Sequence, residues 1–291
     1  MKKFAEENPF FVALPIAIIV FFSVLTWGMS MLRQPQTPDL WGSLAAVVVS
    51  QDETISTTTP HIVDMHPRFE YIEVLDSCGP YYTGACVNMR SGPGEEYPII
   101  GRLRTGVVLK VADTVIQDEH AWHRIMFDEG VRYPERVTGD WYVSADYVQL
   151  FTDKGDEILA THADGKNAKL IIVDLSEQML YAYDDDTLFM QEPISTGLEF
   201  TPTPRGTFTV FKKTPSRYMQ GPIPDVSDQY FDLPGVPWDL YFTNEGAVIH
   251  GAYWHDNFSK PWSHGCVNLS PQKAKELYQW ANIGTSIIVR D

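Results

Sequence analysis

Hydrophobic and polar residues are patterned in three ways along this chain, and each predicts a different kind of structure. From Phe10 to Leu32 no charged residue interrupts a run dominated by Phe, Ile, Val, Leu and Trp. A run of that length meets the roughly 20 residues a helix needs to cross a hydrocarbon layer. It exceeds the ~7–15 residue core of a cleavable leader, and no small-x-small cleavage site follows closely. The pattern therefore predicts an uncleaved transmembrane signal anchor within residues 1–33. Lys2 and Lys3 precede the span and only Arg33 follows closely, which keeps the N-terminal tip in the cytoplasm and places the remaining chain outside. Removal as a signal peptide is the alternative, with the same outside address.

Residues 34–67 hold Pro35, Pro38, Pro60 and Pro67 with a Thr/Ser run from Thr54 to Thr59, the pattern of a stalk. Within it, Leu40 to Val49 is too short to span a membrane and is either a surface-lying or a packing segment. From residue 68 to 151 the pattern changes to short two-residue alternation: Tyr71–Leu75, Ile99–Leu103, Val107–Val111, Ala121–Phe127 and Trp141–Val143, separated by Gly and Pro. Closely spaced short strands of this kind predict a small β-barrel. His120 and His123 read as surface or half-buried residues of a hairpin. Residues 152–167 are polar and Gly/Asp-rich, a second linker.

The remaining 168–291 is again strand-rich: Ala168–Asp174, Gln178–Tyr183, Gln191–Ser195, Thr207–Lys212, Trp238–Thr243, Ala247–His250 and Ser286–Arg290. Residues 214–237, with five prolines and Tyr218, Tyr230 and Phe231, predict a long loop serving as a lid or binding loop. One helix is well marked, with Ser270 as N-cap, Pro271 at the first position, Ala274, Leu277, Tyr278 and Ala281 on one face, and Gly284 as the stop. The fold class is thus mostly β, a small barrel followed by a β-rich domain with one packed helix.

Composition narrows the partners. A net charge of −16 over 291 residues leaves no basic excess to neutralise phosphates, so nucleic acid is an improbable ligand and the acidity reads as a solvated surface. Of three cysteines, Cys78 and Cys86 bracket a Gly/Tyr-rich segment. Outside the cytoplasm they predict a disulfide, leaving Cys266 as the free thiol; otherwise they are two buried reduced cysteines.

The candidate chemistry lies in Ser263-His264-Gly265-Cys266-Val267-Asn268-Leu269. On an extended segment His264 and Cys266 face the same side, with Gly265 permitting close approach to the backbone. His250 lies sixteen positions before the cysteine, on a strand of its own. A thiol is an effective nucleophile as thiolate, which a nearby imidazolium favours. His250 is read as the general acid/base, and His264 as its orienter, a second ion-pair partner or a substrate contact. The backbone N–H groups of Gly265 and Cys266 are natural oxyanion donors. Two rivals remain: both histidines are structural, or His250, His255, His264 and Cys266 hold zinc, although their spacing matches no common zinc pattern.

Two resemblances sharpen this reading. Val87-Asn-Met-Arg-Ser-Gly-Pro-Gly94, Tyr97, Trp122 and Trp141-Tyr-Val-Ser-Ala-Asp-Tyr-Val148 resemble a bacterial SH3-like domain, a kind of module that accompanies cell-wall enzymes and is thought to bind or position them on the wall. His250-Gly251, Ser263-His264-Gly265-Cys266 and Thr201-Pro-Thr-Pro-Arg-Gly206, in that constellation from Ala168 to Arg290, resemble the YkuD-type L,D-transpeptidases. Papain-like and NlpC-type peptidases have the cysteine before the histidine, whereas no histidine follows Cys266. Many YkuD-type members carry arginine at the position of Asn268 and others asparagine, so this residue suggests a subgroup.

The resemblance implies a cysteine-dependent acyltransferase that forms a thioester with the third residue of a peptidoglycan tetrapeptide stem, expels the terminal D-alanine, and passes the acyl group to the side-chain amine of a second stem as a 3→3 cross-link. Ser263, Asn268, Gly251, Arg205 and Tyr218 are the expected substrate contacts, and no cofactor or metal is implied. The expected partners are donor and acceptor stem peptides, the cell wall through the SH3-like domain, and the membrane through the N-terminal helix, with the catalytic domain outside the cytoplasm. The alternatives are an L,D-carboxypeptidase that trims tetrapeptides and a non-catalytic wall-binding scaffold.

Overall fold

The computed structural model describes residues 68–127, 130–158, 168–224 and 226–291. The apolar run at 10–32 and the stalk lie outside the described residues, as do positions 159–167 of the second linker. Among the described residues no helix is long and apolar enough to cross a membrane.

Seven strands come first: β1 (Phe69–Glu73), β2 (Val87–Arg90), β3 (Ile99–Leu103), β4 (Val108–Gln117), β5 (His120–Met126), β6 (Tyr142–Ser144) and β7 (Gln149–Asp153). They form one antiparallel sheet in the order β3-β2-β6-β5-β4-β1-β7. Alternation sends Val87, Met89, Leu109, Val111 and Val143 into its core, together with Ile72 and Ile125. Cys78 and Cys86 are joined by a disulfide beside β2.

The rest of the chain builds two five-stranded sheets from β8 (Glu157–Ile158), β9 (Lys169–Asp174), β10 (Met179–Asp184), β11 (Thr187–Pro193), β12 (Gly206–Thr209), β13 (Lys212–Ile223), β14 (Ser227–Tyr241), β15 (Val248–Gly251), β16 (Val267–Leu269) and β17 (Ser286–Arg290). One sheet runs β11-β10-β9-β17-β12 and the other β16-β15-β14-β13-β8. Leu240, Ile249, Val267 and Leu269 of the second share a core with Ile171, Val173 and Leu180 of the first and with Ala274 and Leu277 of the helix α1 (Pro271–Trp280). That helix begins as its sequence dictates, with the Ser270 hydroxyl accepting the N–H of Lys273 at 3.4 Å. Its end is set by Ala281, which is extended, three residues before Gly284. The buried ammonium of Lys213 reaches the freed carbonyls there, donating to Tyr278 O at 2.9 Å and Ala281 O at 2.7 Å.

Residues 214–237 are not a loop. They lie in a long hairpin, with β13 and β14 paired from Lys212↔Tyr241 to Ile223↔Ser227. Irregularities at Arg217/Met219 and Gly221/Ile223 interrupt the ladder, which is how strands can contain prolines that donate no hydrogen bond. The tip rests on the segment between β5 and β6: Tyr133 Oη donates to Pro222 O and Arg136 Nη1 to Gly221 O, each at 2.8 Å. The guanidinium of Arg136 also sits 4.5 Å from the Tyr230 ring centre. Part of the expected second linker is strand as well, since β8 pairs with Lys212 and Lys213 of β13.

The seven-stranded sheet packs directly on this hairpin and on α1. Ser216 Oγ donates to Val108 O at 2.5 Å, Lys275 pairs with the buried Glu73 at 2.5 Å, and Val236 and Tyr253 complete the first sheet's core. The described residues consequently form one compact unit.

Candidate active site

The thiol and the first histidine come from neighbouring parallel strands. β15 pairs with β16 in the register Ile249↔Val267, His250↔Asn268 and Gly251↔Leu269, with Cys266 immediately before β16. Ile249 and Val267 enter the core under α1, so alternation turns His250 and Asn268 to the opposite face.

Segment 263–266 is a bend and not the extended run expected from its sequence. Gly265 has φ +112°, a left-handed conformation that glycine adopts freely. The hydroxyl of Ser263 closes the bend, accepting the N–H of Gly265 at 3.1 Å and donating to Cys266 O at 2.5 Å. His264 and Cys266 therefore do not point together by strand alternation. The half-buried His264 ring stacks on Phe231 of β14, with ring centres 6.1 Å apart. The Gly265 N–H is engaged by Ser263, which leaves the Cys266 N–H as the better oxyanion donor of the expected pair.

His250 is fully buried. Its Nδ1 lies 3.1 Å from Gly251 O, an arrangement that requires the proton on Nδ1 and leaves Nε2 with a lone pair. Nε2 is buried without a hydrogen-bond partner. Burial first, and the nearby Arg217 guanidinium second, hold this imidazole down at about 3, so it is neutral near pH 7. The Cys266 sulfur lies 3.9 Å from Gly246 O, towards which its S–H points as donor. Burial pushes its thiol up, while the Arg217 charge pulls it down.

Arg217 and Asp239 are the site residues that sequence reasoning missed. Arg217 Nε lies 3.8 Å from Oδ1 of the fully buried Asp239, and its guanidinium carbon is 5.5 Å from the Tyr241 ring centre. Arg217, Tyr218, Tyr241 and Gly246 line a cleft of about 1150 Å³ that is also lined by Lys110 of β4 and by Phe127, which follows β5. Arg217 sits in the stretch expected as a loop, so no local pattern marks it. An aspartate in the otherwise apolar Val236-Pro-Trp-Asp-Leu-Tyr241 run was the available signal for Asp239.

The other expected contacts divide. Asn268 binds inward: its amide is 2.9 Å from His255 Nε2, and its backbone exchanges hydrogen bonds with Ser195 at 2.8 and 3.0 Å. His255 Nδ1 accepts the N–H of Asn257 at 3.1 Å, so Nε2 carries the proton and the Asn268 oxygen, not its nitrogen, belongs opposite it. That assignment leaves His255 no lone pair for a metal. Among the described residues no group of three or more His, Cys, Asp or Glu is arranged to hold one. Gly251 faces α1, where a Cβ would come within 2.8 Å of Pro237 and 3.0 Å of Pro271. Arg205 is exposed and pairs with Asp291 at 2.7 Å. Tyr218 donates to Asp232 at 3.0 Å and packs against Trp141 and Phe127. The Thr201–Gly206 turn does join the site: Thr203 Oγ1 accepts the N–H of Gly197 at 2.8 Å, and the carbonyls of Thr201 and Pro202 lie 3.7 and 3.8 Å from where a Gly265 Cβ would be.

Residues 168–289 match the model of the YkuD family, the L,D-transpeptidase catalytic domain. The C-terminal part of the chain is thus similar to the YkuD-type catalytic domain. Over 160 residues the chain is 27% identical to L,D-transpeptidase 2 of Mycobacterium tuberculosis, covering 52% of this chain and 35% of that protein. Over 108 residues it is 32% identical to probable L,D-transpeptidase 3 of the same species, covering 34% of this chain and 38% of that one. The matches thus span little more than a third of these relatives' lengths. Among solved structures, an L,D-transpeptidase from Mycobacterium smegmatis aligns with 59% of this chain and 91% of its own, at 23% identity and a TM-score of 0.41.

Proposed function

We propose that this protein is a peptidoglycan L,D-transpeptidase that forms 3→3 cross-links through a thioester on Cys266. The observation that carries the reading is the His250 imidazole, with Nδ1–H held by Gly251 O and a buried, unpartnered Nε2 on the strand beside the one Cys266 leads into. That is the tautomer a general base needs.

In the proposed reaction the Cys266 proton passes to His250 Nε2 as sulfur attacks the carbonyl carbon of the third stem residue. The Cys266 N–H receives the developing oxyanion. Collapse breaks the amide bond, and the departing D-alanine nitrogen takes the proton from Nε2, leaving a thioester. The acceptor amine then attacks the thioester carbonyl, loses its proton to Nε2, and forms the new amide as sulfur leaves and is reprotonated. The Phe231-bearing hairpin walls the site beside His264, which supports transfer to an amine over loss to water. Water as acceptor would give the L,D-carboxypeptidase instead.

The proposal extends to the rest of the chain: an anchor within 1–33, a stalk at 34–67, an SH3-like, wall-binding module at 68–151 and catalysis outside the membrane. Muropeptide analysis of cells carrying Cys266→Ala tests the enzyme reading. Loss of 3→3 dimers with wall binding intact supports it, and unchanged dimers reject it.

A further inference from the structure

We propose that Arg217 is the charge partner of the Cys266 thiolate, so that sulfur ionises against a fixed guanidinium instead of against a protonated histidine. The inference rests on Cys266 being the nucleophile and adds a positioning residue from a distant part of the sequence.

The geometry forms a row across the sheet. Arg217 of β13 lies over Tyr241 of β14, and Tyr241 is the ladder partner of Val248 on β15, two residues past Gly246. Arg217, Tyr241 and Gly246 wall the same cleft, and Gly246 O is the acceptor 3.9 Å from that sulfur. Asp239 is buried beside Arg217, its Oδ1 3.8 Å from the guanidinium Nε, and is the opposing charge of the set. Arg217 itself is 22% exposed and faces the cleft.

The charged and titratable groups around the sulfur are few among the described residues. β13 supplies Arg217, β14 supplies Asp239 and Tyr241, β15 supplies His250, and the bend supplies His264, whose ring rests on Phe231. His255 stands behind Asn268 with both nitrogens engaged. A protonated His250 would be a second buried cation near Arg217, and both burial and that guanidinium oppose it. His264 is likewise held towards its neutral form by burial. Arg217 is then the permanent cation of the set. When the S–H bond breaks, the electron pair stays on sulfur in the field of Arg217, and the proton leaves by way of His250 Nε2.

The test is the pH dependence of alkylation by iodoacetamide in the full chain. With Cys78 and Cys86 bonded to each other, Cys266 is the one thiol that reacts. The expected result for Arg217→Gln is an upward shift of the titration midpoint by about one pH unit or more, or roughly tenfold slower alkylation at neutral pH. Arg217→Lys restores most of it, His250→Gln does not raise the midpoint, and Asp239→Asn lowers it by removing an opposing charge. A wild-type profile in Arg217→Gln overturns the proposal, as does an upward shift in His250→Gln. Should Arg217→Gln fail to fold by circular dichroism, an unchanged or raised midpoint in Asp239→Asn overturns it. Alkylation requires no peptidoglycan, so this outcome is independent of whether Cys266→Ala abolishes cross-linking.

Discussion

The hydroxyl of Ser263 holds both ends of the bend that presents the thiol, accepting from Gly265 N–H at 3.1 Å and donating to Cys266 O at 2.5 Å. Removing it frees a left-handed glycine and a buried carbonyl together. Ser263→Ala is expected to cost about 1–2 kcal/mol in stability and to slow acylation of Cys266 about tenfold or more through misplacement of sulfur. Ser263→Thr keeps the oxygen and should retain most activity. Urea unfolding and single-turnover acylation check the pair of outcomes.

Asn268 and His255 are buried partners 2.9 Å apart. Truncation in Asn268→Ala leaves an imidazole N–H without a partner in the interior, and about 2–3 kcal/mol of stability should be lost. A urea midpoint equal to wild type would show that the pair is not made.

Acid should destabilise the fold through two histidines. His250 and His255 are held at about 3 and about 4 by burial, against an ordinary value near 6.5. Between those values the unfolded chain binds more protons than the native one, so stability rises with pH across the window. It is complete above about 6.5 and is lost as pH falls towards the folded values, on the order of 3 kcal/mol between pH 7 and 5. Thermal melts at pH 7, 6 and 5 should show a falling midpoint, and a flat series would contradict the burial of these rings.

Gly197 packs where the Thr201–Gly206 turn crosses the bend at 263–266. A Cβ there would lie 2.2 Å from Thr201 O and 2.5 Å from Thr203 N, both backbone atoms with little freedom to retreat. Gly197→Ala is expected to cost about 2–3 kcal/mol and to slow acylation, because the same turn underlies Gly265. Wild-type melting in this variant would contradict the packing.

Arg205 gives the converse prediction. Its guanidinium is exposed and already paired with Asp291 at 2.7 Å. Arg205→Ala should leave acylation and turnover unchanged, and a loss of substrate affinity would restore it as a carboxylate contact.

The strands and the helix α1 were legible wherever alternation or capping is local: β3, β17 and the start of α1 fall where the pattern places them. The β13–β14 hairpin was not, because prolines that read as loop signals are absorbed at bulges and at the ends of interrupted ladders. Among the candidate site residues, His250 and Cys266 stood out in the sequence because a strand-borne histidine and a glycine-flanked thiol are local signals. The bend at Gly265 was hidden, since its cause is the Ser263 hydroxyl and not the periodicity. Arg217 and Asp239 depend on the hairpin register, and the role of Asn268 depends on His255 across the chain, relations that no stretch of sequence displays by itself.

The most direct measurement is mass spectrometry of the full protein incubated with a defined disaccharide-tetrapeptide. The account predicts a Cys266 adduct of the acylated tripeptide, release of D-alanine, and dimers joined between the third residues of two stems. Tripeptide without dimers would contradict the cross-linking role, and release of D-alanine with no adduct on Cys266 would contradict the nucleophile.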